Sequence, residues 1–480
     1  MIIKLIIVVH RYVGVVLGVI MTIWCLSGFV MMYQGFPETS QEERLAGLET
    51  LDLSHCCASL PIADDAAAGS LRIEMLNGAP VIRIGRRGET QTFNIATGAP
   101  IGVLDEAGVR QVATSFAAGN GIKGEIASLD QIHDDQWTVS GAGQQPLWRA
   151  EFNDPQNTLV YVDAKAASVV QDANSGERLV AWFGAIPHWL YPAILRTNVA
   201  LWTQIVIWSS AIGCFLVITG IVVGIARLRG KSGRWFPYKR PMWLFHHIFG
   251  TFAGIMVLTW TFSGLLTMHP WGLFESTSPI AQSDISGDMT WADARAVIDH
   301  AKTDPAPASA IVLRPAPLLG HAYLIARGRH GKETRLGVNG AAPMTLDELA
   351  AGLQARGNLL ASGKVELQTS EDDFYYGHKQ SVDLPVYRVT LTDPGQTRVY
   401  INHTTGDARV VDPTSQSYRW FENGLHSLDF SFLRVRPLWD IVTLILLAAV
   451  TVACATGAWL SFTRIGTDVS RIKEFFFRRT

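Results

Sequence analysis

The sequence predicts a membrane protein in which a bundle of four transmembrane helices carries two α+β domains on one side of the bilayer, with this arrangement duplicated within one chain. Three observations support this fold class. Four apolar stretches are each long enough to cross about 30 Å of hydrocarbon, two long polar segments separate them, and the two halves of the chain share a repeat. Charged residues make up only 17% of the 480 residues, whereas a soluble protein carries about 25%.

The four predicted spans are residues 1–33, 201–226, 242–269 and 438–463. The first span could be mistaken for a signal peptide. However, its apolar run is too long, no small-x-small cleavage site follows it, and a near copy of it forms the third span. We therefore expect it to remain as a membrane anchor.

Basic residues in the short connections predict the orientation of the chain. The loop 227–241 holds six Lys or Arg residues and no acidic residue, and the tail 464–480 holds five Lys or Arg residues against two acidic ones. Because cytoplasmic loops are enriched in Lys and Arg, we expect this loop and both termini to be cytoplasmic. The segments 34–200 and 270–437 then lie on the far side, which is the periplasm if the membrane is a bacterial inner membrane.

An internal repeat relates the first span to the third. The matched residues keep one register and include the rare types His and Trp: His10 and His246, Gly14 and Gly250, Gly18 and Gly254, Trp24 and Trp260, Ser27 and Ser263. A second shared pattern, Trp-Phe…His…Leu-Arg, precedes the second and fourth spans at 182–196 and 420–434. Repeats at a fixed offset indicate duplicated structural units.

The two polar segments read as short strands separated by turns. Strands are predicted at 71–76, 81–84, 90–95, 147–152 and 158–162, and a helix is predicted at 345–355. The segments contain no phosphate-binding loop, dinucleotide fingerprint or nucleophile elbow. With a net charge of −2 and no basic patch, the chain is not expected to bind nucleic acid.

Four histidines form two pairs that the repeat relates. His10 and His246 lie near the cytoplasmic ends of their spans, and His188 and His426 precede the second and fourth spans. Ionisable residues at membrane spans are candidates for function, and two imidazoles that face each other match the axial ligands of a b-type haem. The pattern therefore predicts two haem b groups, with these four histidines as ligands to the haem iron.

Other residues extend or compete with this interpretation. Arg11, Arg196 and Arg434 are expected to pair with haem propionates, because guanidinium groups match carboxylates. His247 and His269 are alternative ligands. Glycines of the first and third spans either leave room for a ring or simply let helices pack closely, and Trp24 and Trp260 either lie between the two sites or belong to the core.

The five cysteines are too few and too badly placed to predict a disulfide framework. Cys56 and Cys57 are adjacent and follow His55, so the three could bind a soft metal. Three clustered ligands without a fourth are more often incidental.

The chain resembles the PepSY-associated transmembrane family, which includes bacterial inner-membrane siderophore reductases. The resemblance rests on HRYVGVVLGVIMTIWCLSG from His10, on the Pro-x-x-Arg…Asp-Pro…Val-Tyr strands, and on RWFENGLHSLDFSFLRVRPLWD at 419–440. It implies PepSY-like periplasmic domains and haem b held by His10, His188, His246 and His426. The segment 372–379 also resembles a PepSY element, and its counterpart at 132–137 departs from it in sequence.

The expected function is that of an oxidoreductase, which passes electrons to a periplasmic acceptor such as the ferric iron of a siderophore. The loop and tail are too short to bind a flavin or nicotinamide, so the electron donor would be a separate cytoplasmic protein or quinol. Two alternatives remain: a PepSY-type membrane regulator or protease inhibitor without redox activity, and a transporter with its site between the repeats.

Overall fold

The computed structural model describes residues 2–54, 56–57, 60–86, 89–138, 146–229, 233–302, 309–338, 344–357, 359–378 and 381–477, with backbone alone at 86, 89 and 468–477. The chain forms two compact units. The first, called the helical unit, comprises Met1–Phe36, Leu179–Glu275 and Ser417–Thr480. The second, called the sheet unit, comprises Pro37–Arg178 and Ser276–Gln416.

The α-helices are numbered in chain order. They are α1 Ile2–Met31, α2 Gln41–Ala46, α3 Glu106–Gly119, α4 Ser175–Phe183, α5 Ala185–His188, α6 Ala193–Arg196, α7 Val199–Ala226, α8 Pro241–Phe252, α9 Gly254–Leu266, α10 Gln282–Ser286, α11 Trp291–Ala301, α12 Leu346–Arg356, α13 Pro413–Tyr418 and α14 Leu438–Phe477. Pro270–Gly272 and Leu359–Ser362 are short 3₁₀ turns, and Arg419–His426 is a π-helix.

The strands are numbered in the same way. They are β1 Leu71–Leu76, β2 Ala79–Arg86, β3 Glu89–Asn94, β4 Pro100–Ile101, β5 Ile126–Ile132, β6 Leu147–Phe152, β7 Leu159–Asp163, β8 Ser168–Ala173, β9 Ala310–Pro315, β10 Leu324–Gly328, β11 Glu333–Leu336, β12 Lys364–Gln368, β13 Val386–Thr390, β14 Arg398–Asn402 and β15 Ala408–Val411. The predicted strands at 71–76 and 147–152 are confirmed to the residue.

The helical unit contains the membrane-spanning helices. Within the described residues, α1, α7 and Leu438–Thr467 of α14 are each long and apolar enough to cross a bilayer. The helices α8 and α9 form a pair bent by 58°, which supplies a fourth crossing if the pair is one span. Helices suit the hydrocarbon interior of a bilayer because they satisfy their backbone hydrogen bonds internally. The chain is therefore a multi-pass membrane protein.

Small residues let α1 and α14 approach each other. A Cβ added at Gly18 would lie 3.2 Å from the Cα of Ala458, and one added at Gly14 would lie 3.3 Å from the Ser461 hydroxyl oxygen. Gly14 and Gly18 therefore serve helix packing, as small residues spaced by one turn commonly do in membranes. The third span behaves differently, since it bends at Ala253, between Gly250 and Gly254, where glycines favour a kink.

A seven-stranded antiparallel sheet combines both polar segments of the sequence. Its strand order is β11-β10-β9-β1-β2-β3-β4, and the two segments meet where Ile73 pairs with Leu313 and Glu74 with Val312. Helix α11 covers this sheet, because Trp291 and Ile298 are buried in one core with its strands. The sequence does not predict this shared sheet, since strand pairing between distant segments leaves no local pattern.

Two four-stranded antiparallel sheets complete the sheet unit. One has the order β5-β6-β7-β8 and the other β12-β13-β14-β15. Each follows a helix that shares a core with it: α3 packs on the first sheet through Phe116, and α12 on the second through Leu349. The same helix-then-sheet order thus occurs in both polar segments.

A partly buried hydrogen-bond network of Tyr, Asp and Arg occurs once in each of these sheets. The Tyr161 hydroxyl donates to the Asp135 carboxylate at 2.7 Å, and Arg149 lies 3.4 Å from the same carboxylate oxygen. In the second sheet, Asp372 accepts from Tyr400 at 2.8 Å and from Arg388 at 3.1 Å.

The segments 132–137 and 372–378 therefore supply equivalent carboxylates, although their sequences differ. Burial raises the pKa of Asp372, but the Phe374 and Tyr375 amides, the Tyr400 hydroxyl and Arg388 together hold it below its usual range. Burial also raises the pKa of both tyrosines.

The start of each polar segment is tied to the last strand of its four-stranded sheet by a carboxylate. Asp172 accepts a hydrogen bond from Thr39 at 2.5 Å, and Asp412 accepts from Ser276 at 3.0 Å and from the Thr277 amide at 2.7 Å. Burial raises the pKa of Asp172 to about 6, and Glu43 and Glu177 add to the rise, against the opposing Thr39 hydrogen bond and Arg44.

The raised pKa of Asp172 predicts that the free energy of unfolding depends on pH. A carboxyl group whose pKa is raised on folding stabilises the folded state at low pH, and the contribution is lost as pH rises toward the folded-state pKa. Between about pH 4 and 7, Asp172 should therefore lower the free energy of unfolding by up to roughly 3 kcal/mol. Asp172→Asn, which keeps the acceptor oxygen for Thr39, should flatten this dependence.

The measurement is the apparent melting temperature of the full chain in detergent from pH 4.5 to 7.5. Asp163→Asn is the control, because Asp163 is a buried carboxylate of the neighbouring strand β7. Parallel pH profiles for the wild type and Asp172→Asn would contradict the prediction.

Candidate functional site

The helical unit brings the four histidines singled out by the repeat into two facing pairs. The ring centroids of His10 on α1 and His246 on α8 lie 6.3 Å apart, with 30° between the ring planes. The centroids of His188, at the end of α5, and His426, at the end of the π-helix, also lie 6.3 Å apart, with 63° between the planes. These pairs are called the inner pair and the outer pair.

Each histidine of the inner pair is oriented by a different helix. His10 Nδ1 lies 3.0 Å from the Leu216 carbonyl oxygen on α7, and His246 Nδ1 lies 3.1 Å from the Ala453 carbonyl oxygen on α14. A carbonyl oxygen only accepts hydrogen bonds, so Nδ1 carries the hydrogen in both rings. The lone pair is then on Nε2.

The outer pair is held in the same way by the first and third spans. His188 Nδ1 lies 3.0 Å from the Ser27 hydroxyl oxygen and 3.3 Å from the Trp24 carbonyl oxygen. His426 Nδ1 lies 3.1 Å from the hydroxyl oxygen of Ser263. Both serines are almost fully buried, at 2% and 0% exposure, so their hydroxyls can bond only to other groups inside the helical unit.

One local motif recurs at all four histidines. A Ser or Thr hydroxyl bonds the carbonyl oxygen three residues earlier on its helix, and the imidazole Nδ1 approaches that carbonyl, that hydroxyl or both. The four pairs of hydroxyl and carbonyl residues are Ser27 with Trp24, Thr219 with Leu216, Ser263 with Trp260, and Thr456 with Ala453. The recurrence indicates that the fold specifies the orientation of each imidazole.

Two glycines make room for the inner pair. A Cβ added at Gly220 would lie 2.6 Å from His10 Cε1, and one added at Gly457 would lie 2.8 Å from His246 Cε1. Separations below 3 Å force a displacement, so only glycine allows the imidazoles to lie against α7 and α14. These glycines follow Thr219 and Thr456 directly.

The spacing within each pair suits one metal ion bound between the two rings. An imidazole nitrogen binds a metal at about 2 Å, and the ring centre lies about 1 Å behind that nitrogen, so two rings across one ion have centroids about 6 Å apart. The described part of the chain contains no group of three or more His, Cys, Asp or Glu residues that could hold a metal ion. A metal centre that brings its remaining ligands with it, as a porphyrin does, would fit two such facing imidazoles.

The three arginines singled out from the sequence lie in the helical unit. Arg196 is 3% exposed and stacks on the Tyr191 ring, with its guanidinium carbon 4.6 Å from the ring centroid. Arg434 lies 3.7 Å from the buried carboxylate of Asp429, and Arg11 lies over the ring of Tyr12 at 5.2 Å. Arg196 and Arg434 follow the outer-pair histidines, whereas Arg11 is next to His10.

The alternative ligands occupy other surroundings. His247 is buried, its Nε2 lies 2.8 Å from the Gly224 carbonyl oxygen, and its ring packs against Phe236 and Tyr238. His246, not His247, faces His10. His269 is exposed and stacks on Tyr418 at 4.9 Å.

The proposed soft-metal ligands near Cys56 do not form a thiol site. Cys56 and Cys57 are joined by a disulfide, which removes the two thiolates that a soft metal would need. His55 lies outside the described residues.

Several site residues were not identified from the sequence as functional. Ser27 and Ser263 appeared only as matches within the repeat, and Thr219–Gly220 and Thr456–Gly457 were not matched at all. The signal was present as a Thr-Gly pair in the last third of the second and fourth predicted spans. Arg419 was also missed: it is 5% exposed and donates to the Asp429 carbonyl oxygen at 2.6 Å.

Alanine at Gly220 or Gly457 should displace the neighbouring imidazole. Because the new Cβ would overlap His10 or His246, we expect each substitution to lower the free energy of unfolding by about 1–3 kcal/mol. Thermal unfolding of the purified chain in detergent measures this. Gly466→Ala in α14 is the matched control, since nothing lies within 4 Å of its added Cβ; an equal loss in the control would contradict the prediction.

The comparison with known proteins finds a family match that covers nearly the whole chain. A family model described as the PepSY-associated TM region matches residues 7–464, which includes all four histidines and nearly the whole chain. A search of the curated proteins finds no match. Since the family model covers both units, the chain belongs to the PepSY-associated TM region family.

Proposed function

We propose that this protein is a haem b electron-transfer protein of the bacterial inner membrane that reduces a periplasmic acceptor, with ferric iron held by a siderophore as the expected substrate. In this proposal α1, α7, α8–α9 and α14 form a four-helix bundle made by internal duplication. Both termini and the loop 227–241 are cytoplasmic, and the sheet unit is periplasmic with PepSY-like domains. The protein is then an oxidoreductase.

The observation that carries the proposal is the pair of facing imidazoles at each site. In both pairs the ring centroids are 6.3 Å apart, and Nδ1 is engaged by a carbonyl or hydroxyl of another helix. The nitrogen left for a ligand bond is Nε2 in each case. Metal-binding histidines characteristically donate their other N–H to a carbonyl or carboxylate, which fixes the ring and raises its basicity.

A haem b at each pair would supply reversible one-electron transfer between ferric and ferrous iron. His10 and His246 would bind the iron at the inner site, and His188 and His426 at the outer site. The carbonyls of Leu216, Ala453 and Trp24 hold three of these rings in place.

The two pairs lie at different depths of the membrane. The outer pair is bonded to residues Trp24 and Ser27 of α1, whereas the inner pair contains His10 of the same helix. Fourteen residues of α-helix separate His10 from Trp24, which corresponds to about 21 Å of rise. The protein could therefore hold redox groups toward both faces of the bilayer.

Arginine residues near the two histidine pairs support the proposal that haem propionates are bound there. Arg196 and Arg434 follow the outer-pair histidines at equal spacing, and Arg11 directly follows His10. Guanidinium groups recognise carboxylates by paired hydrogen bonds, so these arginines would bind propionates, and Arg419 joins the outer group.

The acceptor rests on family membership, since siderophore reductases of the inner membrane are among the proteins that the sequence resembles. Reduction of ferric to ferrous iron weakens binding by hard oxygen chelators. The electron donor would be quinol or a separate cytoplasmic protein.

The test is the haem content and the absorption spectrum of the purified chain. We expect one haem b per histidine pair, with reduced-minus-oxidised bands of a bis-histidine centre. His10→Ala and His246→Ala should each remove the inner haem alone, and His188→Ala and His426→Ala the outer haem alone, because one axial imidazole cannot replace two.

His269→Ala is the control for these variants, because His269 is exposed and outside both pairs. It should keep the wild-type haem content. A protein that folds and carries no haem would reject the proposal and favour the regulator alternative. Haem loss in His269→Ala equal to that in the four ligand variants would reject the ligand assignment.

A further inference from the structure

Two cysteine thiols of the helical unit face each other across a helix interface. The sulfur atoms of Cys25 on α1 and Cys454 on α14 lie 3.7 Å apart, and both residues are half-buried. The third free cysteine, Cys214, lies on α7. The facing thiols are within about 2 Å of the 2.03–2.05 Å separation of a disulfide bond, so a side-chain rotation with a small helix movement would join them.

The thiol pair is placed beside both histidine pairs. Cys25 directly follows Trp24, whose carbonyl oxygen is 3.3 Å from Nδ1 of His188. Cys454 directly follows Ala453, whose carbonyl oxygen is 3.1 Å from Nδ1 of His246. A bond between the two sulfurs would thus connect the backbone that orients one histidine of the outer pair to the backbone that orients one histidine of the inner pair.

The repeat does not explain why both positions are cysteine. In the register of the first and third spans, Cys25 corresponds to Thr261. In the register that aligns Thr219–Gly220 with Thr456–Gly457, Cys454 corresponds to Val217. Neither of those residues can form a disulfide. The equivalent interface of the other half therefore lacks this chemistry. Cys25 and Cys454 each lack a cysteine counterpart in the other half, and their side chains meet.

We propose that Cys25 and Cys454 form a redox modification site, at which a reversible disulfide links α1 to α14. The segments around both residues are apolar, where a charged thiolate and water-soluble oxidants are disfavoured, so the oxidant is an apolar molecule of the quinone class. Each thiol loses its hydrogen, the S–S bond forms, and the quinone takes up two electrons and two protons to become the hydroquinone. A dithiol reductant reverses the reaction by thiol–disulfide exchange.

The bond would alter how His188 and His246 are held. As the sulfurs approach, the adjoining carbonyls of Trp24 and Ala453 shift relative to the imidazoles that they orient. Groups that hydrogen-bond to a ligating histidine tune the metal that it binds. This consequence rests on the proposed function, whereas formation of the disulfide does not.

The experiment measures thiol accessibility in the full chain reconstituted in lipid nanodiscs. The protein is treated with a fully substituted benzoquinone, alkylated with N-ethylmaleimide, and mapped by peptide mass spectrometry. We expect a linked peptide containing Cys25 and Cys454, loss of alkylation at both residues, and recovery of alkylation after dithiothreitol. Cys214 should remain alkylated throughout.

Single variants separate the pair from unspecific oxidation. In Cys25→Ser, Cys454 should stay alkylated after quinone treatment, and Cys25 should do so in Cys454→Ser, while Cys214→Ser should form the linked peptide as the wild type does. Full alkylation of Cys25 and Cys454 after quinone treatment would overturn the proposal, as would oxidation of Cys214 to the same extent. Haem content read from the absorption spectrum of each sample tests the proposed function separately, because the linked peptide forms with or without haem.

Discussion

The site depends on one constraint: each imidazole that faces a partner is turned by a hydrogen bond to a helix other than its own. In the described helices the acceptor carbonyl is followed three residues later by a Ser or Thr, whose hydroxyl bonds the same oxygen. The carbonyl accepts and cannot donate, so it selects the Nδ1–H tautomer. Backbone atoms of a neighbouring helix thereby determine which nitrogen of each ring carries the free lone pair, and the pairs form only when the helices are correctly packed.

Glycines let the rings and the helices approach closely enough for these hydrogen bonds to form. The rings of His10 and His246 press against α7 and α14 at Gly220 and Gly457, where an added Cβ would overlap the imidazole. At Gly14 and Gly18 the absent side chain instead lets α1 lie against α14. Glycine thus has two separate uses in these spans, one for ring against helix and one for helix against helix. Without a hydrophobic driving force between helices in lipid, such close fits carry much of the association.

The sequence was informative where the signal is local or repeated. His10, His188, His246 and His426 were found because a repeated register makes rare residues coincide. Strands such as β1 and β6 follow from apolar and polar residues that alternate between turns. The shared sheet was not predictable, because the pairing of Ile73 with Leu313 joins segments that are far apart in the chain. The Ser/Thr motif was also hidden, since a hydroxyl in an apolar helix commonly bonds its own backbone. Only the coordinates reveal which carbonyl an imidazole has reached.

The two halves keep the Ser/Thr motif but differ around it, so the two rings of each pair lie in different surroundings. His426 lies at the end of a π-helix, a rare element that often marks functional sites, whereas His188 ends a short α-helix. The third span bends by 58° while α1 is continuous, and Arg419 and His269 have no counterpart in the first half. The inner and outer pairs each take one histidine from each half, so these differences fall on opposite sides of both sites. A chain with two identical halves would surround both rings of a pair alike, so these departures make the two imidazoles of each pair inequivalent.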